Sequence, residues 1–194
     1  MRRLPALLAV LLAAPLVLAG CAAGTDAVER GTEFQFVSPG GQTEIFYDGT
    51  DRQRAPALSG ADLMSDEPVS VSDFPGKVVV LNLWGAWCPP CRVEAPELEK
   101  VYQERRAKGV EVLGIDVRDE NRSAPQDFVR DTGLTYPSIY DPPGRSLLAW
   151  KGYPRSVVPS TIVLDKQHRV AAVFLRDLLA SDLFPVVDRL TAEQ

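Results

Sequence analysis

The chain has 194 residues, 45% of them hydrophobic and 24% charged, with 21 Lys and Arg against 26 Asp and Glu and a formal net charge of −5. That length supports one domain with a full core, and the acidic balance argues against nucleic acid and against attraction to anionic lipid. Three cysteines and a single histidine, His168, argue against a four-ligand structural zinc site, so no metal is expected.

Residues 1–20 read as a targeting segment. Arg2 and Arg3 form a basic start, and Leu4 to Leu18 is apolar but broken by Pro5 and Pro15 and too short for a comfortable span. The segment closes in Leu18-Ala19-Gly20-Cys21, the form of a bacterial lipobox. It predicts lipidation of Cys21 and an anchor at the outer face of the bacterial cell membrane. An ordinary cleaved signal peptide beside a chance cysteine is the plainer alternative.

Residues 22–33 are small and polar and read as a linker. Phe34 to Val37 and Glu44 to Tyr47, separated by Ser-Pro-Gly-Gly, predict a hairpin, so residues 21–54 form a tether with an N-terminal hairpin. Residues 55–194 form the main domain. It opens with loop up to residue 60, a short extended piece at Val69–Val71 and a turn at Phe74-Pro75-Gly76. The run Lys77 to Leu83 is apolar almost throughout, as expected of a strand covered on both faces. A helix follows from Cys88, with Val93, Leu98, Val101 and Tyr102 inward, a kink at Pro96 and an end at Gly109. Val110 to Asp116 is a second central strand. Ser123-Ala-Pro-Gln126 reads as a capping box opening a helix to Thr132, with Gly133 beyond it. A short extended segment at Tyr136–Tyr140 and a helical piece at Ser146–Trp150 come next. Ser160–Leu164 and Arg169–Leu175 form a hairpin, and a last helix over Ser181–Leu190 carries Leu183, Val187 and Leu190 on one stripe. This order predicts an α/β fold, a central mixed sheet with helices on both faces.

The chemistry is concentrated in Trp87-Cys88-Pro89-Pro90-Cys91 at the strand-to-helix junction. Two thiols three positions apart make a reversible dithiol/disulfide couple, and the helix N-terminus favours the thiolate of Cys88. A bridge over so short a loop stabilises little by chain entropy, so the spacing reads as chemical rather than structural. Cys88 is the expected nucleophile, partly exposed, and Cys91 the resolving thiol. Pro89 and Pro90 remove two amide donors from the thiolate, which disfavours a strongly oxidising couple and predicts a reductant. Glu94 reads either as a solvated helix carboxylate or as a proton acceptor for the pair. Trp84 reads as core and Trp87 as a partly exposed substrate surface. Asp116, Asp119 and Glu120 read as a solvated loop, and His168 has no assigned role.

Asn82-Leu-Trp-Gly-Ala-Trp-Cys-Pro-Pro-Cys91, Glu94, Pro96 and Val158-Pro-Ser-Thr161 resemble the thioredoxin superfamily, more narrowly its TlpA/ResA/CcmG-like extracytoplasmic thiol–disulfide oxidoreductases, over roughly residues 55–192. The resemblance implies a thioredoxin-like fold and a cis peptide at Pro159, which faces the dithiol. It also implies that Val158 pairs with a substrate backbone, and that Glu94 serves in acid/base chemistry where thioredoxins carry an aspartate at the position of Asn82. No cofactor beyond the Cys88–Cys91 pair is implied. The implied clients are disulfide-containing exported proteins such as apocytochrome c in cytochrome c maturation, and the implied electron source is a CcdA/DsbD-like membrane thiol carrier. A general disulfide oxidase or isomerase and a thiol peroxidase are the alternatives. Peroxidases of related fold carry a lone Thr-x-x-Cys, and here Ala86-Trp87-Cys88 stands in that place. A binding module with a vestigial dithiol is a third reading.

Overall fold

The computed structural model describes residues 33–193, so the targeting segment, Cys21 and most of the linker lie outside the described residues. In chain order the strands and helices are β1 (Glu44–Phe46), β2 (Ser59–Ala61), β3 (Pro68–Ser70), β4 (Val78–Trp84), α1 (Pro89–Arg105), β5 (Val110–Asp116), α2 (Ser123–Thr132), β6 (Ser138–Tyr140), β7 (Ser160–Leu164), β8 (Val170–Phe174) and α3 (Ala180–Ala192). Six strands form one sheet in the order β1-β8-β7-β4-β5-β6, while β2 and β3 pair separately. β4–β5 and β5–β6 are parallel; β4–β7, β7–β8 and β8–β1 are antiparallel. This is the mixed sheet of a thioredoxin-like fold.

All residues of β4 and β5 are buried, as their near-continuous apolar runs require. The two-residue alternation of a strand sorts β4 between two cores. Val78, Val80 and Trp84 face the side packed by α1, α2 and α3, through Leu98, Val101, Phe128, Leu183 and Val187. Val79, Leu81 and Leu83 face the other side.

Three expectations are corrected here. The second face carries no long helix: Phe34, Phe36, Leu147, Trp150 and Tyr153 cover it, locked edge to face. The N-terminal hairpin does not form. Phe34 N–H instead donates to the Arg54 carbonyl and Phe36 N–H to the Lys151 carbonyl, while β1 adds to the sheet edge at β8. Burying two phenylalanines with Leu147, Trp150 and Tyr153 over a sheet face that no long helix covers outweighs a local hairpin that would leave them half wet. Finally, Val93 is 68% exposed, because it points away from the face that α1 buries through Cys91, Glu94, Ala95, Leu98, Val101 and Tyr102.

Smaller differences follow from local hydrogen bonds. The capping box at Ser123 is absent, since Asn121 Oδ1 accepts from Ser123 N–H and Oγ instead, and Gln126 reaches the Leu63 carbonyl. Residues 59–61 are strand rather than loop. The helical piece near Trp150 shrinks to a turn at Arg145–Leu147. His168 sits at φ 55° in the β7–β8 turn, with Nε2 3.0 Å from the Phe74 carbonyl, which is a structural tie. Among the described residues, no helix is long and apolar enough to cross a membrane.

Gly114 marks the tightest point between β4, β5 and β6. A Cβ there would lie 2.2 Å from Ser138 Oγ and 2.7 Å from Trp84 Nε1. Gly114→Ala is therefore expected to destabilise the oxidised protein by about 1–3 kcal/mol through overpacking. The midpoint of urea denaturation reads this directly, and an unchanged midpoint would mean that the indole and hydroxyl give way freely.

Candidate active site

The site lies at the C-terminal ends of β4 and β5, where the chain leaves β4 for a helix on one face and the sheet changes from parallel to antiparallel neighbours. Gly85, Ala86 and Trp87 make the turn. Gly85 is required by close approach rather than by its backbone angles: a Cβ would lie 2.3 Å from the Trp87 indole nitrogen. That indole folds back and donates to the Val117 carbonyl at 2.7 Å, leaving Trp87 43% exposed.

Cys88 is the N-cap of α1, in extended conformation, with Pro89 and Pro90 opening the helix. Its sulfur accepts from Cys91 N–H at 3.3 Å and is disulfide-bonded to Cys91. The prolines leave that one amide as the thiol's donor from the first turn. The expectation of a partly exposed nucleophile is corrected: Cys88 is 1% exposed in this disulfide form, as is Cys91. The cover comes from the segment before β7, where Val158–Pro159 is a cis peptide and the Val158 carbonyl oxygen lies 3.8 Å from Cys88 Sγ. Val158 is half-buried and Pro159 buried. The Cys88–Cys91 segment and the Val158–Pro159 segment are thus brought together as the motifs suggested.

Glu94 is buried, one turn into α1 from Cys91, and the solvated alternative is corrected. Asn82 shares the β4 face of Val80 and Trp84, which aims it at α1. Its amide donates to Glu94 Oε2 at 2.9 Å and to Thr161 Oγ1 at 3.1 Å, while Leu178 N–H donates to Glu94 Oε1 at 2.9 Å. Burial pushes the Glu94 carboxyl up from 4.5 to about 7, outweighing the two hydrogen bonds that favour its charged form. A carboxyl poised near neutrality one turn from a thiol can give or take a proton at working pH.

The acidic group after β5 is not a solvated loop. Asp116 is fully buried and Asp119 nearly so, and only Glu120 is exposed. Burial, reinforced by Asp119 and Asp141, raises the Asp116 carboxyl from 3.8 to about 9, so it is neutral at pH 7. Asp119 Oδ2 accepts from Ala86 N–H at 2.6 Å and pins the turn that carries Trp87. Arg118, which the motifs gave no reason to single out, has φ +63°. Its guanidinium sits 5.1 Å from the Trp87 ring centroid and donates to the Arg155 and Ser156 carbonyls at 3.3 and 3.0 Å. It joins the Trp87 turn to the segment leading to Pro159. The only prior hint was its place just beyond a central strand. Among the described residues, no group of three or more His, Cys, Asp or Glu side chains is placed to hold a metal ion.

A family model described as the AhpC/TSA family matches residues 52–173. The thiol-disulfide oxidoreductase ResA of Bacillus anthracis is 30% identical over 139 residues, 72% of this chain and 78% of that protein. The ResA of Bacillus thuringiensis subsp. konkukian is 33% identical over 118 residues, and there the match covers 61% of this chain and 65% of the relative, just under two thirds of its length. Among solved structures, a secreted thiol-disulfide isomerase from Corynebacterium glutamicum is 51% identical with a TM-score of 0.80, over 82% of this chain and 98% of that one. A DsbF homologue from Corynebacterium diphtheriae is 53% identical with a TM-score of 0.78, over 81% and 99%.

Both raised carboxyls hold their protons more tightly when folded, so each contributes stability that is complete at low pH and lost as pH rises. The window runs from about 4.5 to about 7 for Glu94 and from about 3.8 to about 9 for Asp116. The melting temperature of the oxidised protein is expected to fall across that range, and Asp116→Asn to flatten the fall above pH 7. Thermal unfolding at a series of pH values checks this; an Asp116→Asn variant with the slope of the parent would remove Asp116 as the cause.

Proposed function

The chain belongs to the AhpC/TSA family of thioredoxin-like proteins, and from that premise we propose that it is a thiol–disulfide oxidoreductase that reduces disulfides in exported proteins. One observation carries the reading: the Cys88 sulfur caps the start of α1, bonded to Cys91, against the carbonyl of Val158. A helix start stabilises thiolate, a second thiol within one turn closes the ring, and a carbonyl beside the sulfur offers a backbone acceptor for an extended client.

In the proposed cycle the Cys88 thiolate attacks one sulfur of a client disulfide. The client's bond breaks, its other sulfur leaves as thiolate, and a mixed disulfide joins client to Cys88. Cys91 gives its proton to the Glu94 carboxylate and attacks Cys88 Sγ. The mixed disulfide breaks, the second client sulfur leaves, and two electrons have passed to the client. The Cys88–Cys91 bond is the protein's product, and a dithiol donor must reopen it. Trp87 and Val158 form the surface on which a client lies, with the buried Pro159 behind Val158, and a client must move past the Val158 carbonyl to reach the sulfur.

The finer assignments belong to the same proposal. Lipidation of Cys21 would hold the domain at the outer face of the cell membrane, supported by the Leu18-Ala19-Gly20-Cys21 motif; an extracytoplasmic placement is also in keeping with the secreted neighbour from Corynebacterium glutamicum. Apocytochrome c is a fitting client, because its paired cysteines must stay reduced in an oxidising compartment. A CcdA/DsbD-like integral carrier is a fitting donor, because electrons must then cross the membrane.

A second reading, oxidation or isomerisation of secreted proteins, is favoured by the name of that same neighbour, an isomerase at 51% identity. The reduction potential separates the two. With a single amide donor to its thiolate, the pair is expected to lie below about −220 mV; a value well above that selects the second reading.

Cys91→Ser is expected to leave clients covalently bound to Cys88, visible as mixed disulfides on non-reducing gels, and Cys88→Ser to abolish them. Glu94→Gln is expected to slow resolution on the order of 100-fold. The parent's resolution rate should rise as pH passes through about 7 and the carboxylate forms. Stopped-flow rates against pH would show this, and retention of the inflection in the Glu94→Gln variant would take Glu94 out of the proton path.

A further inference from the structure

A depression of about 540 Å³ adjoins the Trp87 turn through Val117, whose carbonyl accepts from the indole, and Arg118, which lies against the ring. It is built from three loops: Val117 and Arg118 after β5, Pro142 to Gly144 after β6, and Tyr153 to Ser156 before the cis peptide. Arg118 is the common piece. Its N–H donates to the Pro142 carbonyl at 3.0 Å, and its guanidinium lies over Trp87 and bonds the carbonyls of Arg155 and Ser156. The residue is held in the left-handed region, a conformation that a non-glycine residue adopts only where its surroundings impose it.

The charge in this depression is uncompensated. Its lining includes two cations, Arg118 and Arg155, both exposed, and no acid. Neither guanidinium meets a carboxylate among the described residues, a state they share with Arg54, Arg92, Arg106 and Arg145, whereas Arg105, Arg122, Arg176 and Arg189 are each paired with Asp or Glu. The positive charge is local. On the other side of Trp87 a second depression, about 420 Å³, is lined by Asp119, Asp127 and Asp131 against Arg92 alone. The whole chain carries −5.

The geometry points to a client-docking subsite: the Arg118–Arg155 depression receives an acidic side chain of a client polypeptide a few residues from the cysteine that reacts with Cys88. This inference rests on the thiol–disulfide exchange reading and adds a substrate preference to it. An extended client crossing Trp87 and pairing with the Val158 backbone runs past Arg118, because Arg118 itself bridges those two elements. Arginine offers forked donors suited to a carboxylate, and partly exposed charges of this kind act mainly on the rate and salt dependence of association.

The test uses three short disulfide-bonded peptides of one sequence, with Glu, Gln or Lys flanking the cysteine. The second-order rate at which each oxidises the reduced full-length protein is followed by tryptophan fluorescence at low and high salt. The Glu peptide is expected to react roughly fivefold faster than the Lys peptide at low salt, the scale of two exposed ion pairs, with the gap closing as salt is added. The net charge of the protein alone would give the opposite order, so the preference cannot come from the global field. Arg155→Glu is expected to invert it. Equal rates for Glu and Lys peptides, or a faster Lys peptide, would overturn the docking subsite and leave exchange chemistry standing. The parent series decides this even if the Arg155→Glu variant folds poorly. Inertness toward all three peptides would instead remove the exchange reading, and the subsite with it.

Discussion

The burial of β4 on both faces and both edges is the constraint from which the site follows. Every residue of the strand is inaccessible, with β5 on one side and β7 on the other. A strand so enclosed can only end by sending the chain out over one face, and α1 does so immediately. The first residue of that exit to cap the helix is Cys88. Its sulfur therefore meets the helix's free amide end without any special arrangement, and the redox pair is a consequence of where the central strand stops.

The same alternation that sorts apolar side chains between two cores places one polar residue, Asn82, under α1. There it meets a buried carboxyl, Glu94, which desolvation alone would make costly. Asn82, Leu178 and Thr161 together satisfy this pair, linking β4, β7, α1 and the approach to α3. Hydrogen bonds favour the charged form and burial the neutral one; burial prevails, and the carboxyl titrates around 7. A fully solvated glutamate would be ionised throughout the working range and could not act as both donor and acceptor.

Around this centre, loops from distant parts of the chain are held by single polar ties. Asp119 fixes the Ala86 amide, Trp87 bonds the Val117 carbonyl, and Arg118 spans to the residues before the cis peptide. Each tie lies at the C-terminal end of a parallel strand, where side chains and backbone groups converge at the edge of the core. The Asp116 carboxyl beneath them stays neutral because burial disfavours its charge and Asp119 and Asp141 add to that.

The sequence alone determined the strand-to-helix dithiol, the two central strands, the closing hairpin and helix, and the family resemblance, because these rest on short-range signals: apolar runs, a two-residue thiol spacing, glycine stops at Gly109 and Gly133. It misjudged whatever depended on which surface stayed uncovered. Phe34 and Phe36 abandon a local hairpin to cover a sheet face that no helix reaches; Val93 turns outward; Asp116 and Asp119 are buried rather than wet. Cys88 is enclosed because a segment seventy residues later folds its Val158 carbonyl over the sulfur. Burial and partner choice across such separations are properties of the packed whole, since a side chain's solvent is set by neighbours that local pattern does not encode. For that reason the thiol couple was legible in the chain, whereas the protonation of Glu94 and the clamp at Arg118 were decided only in three dimensions.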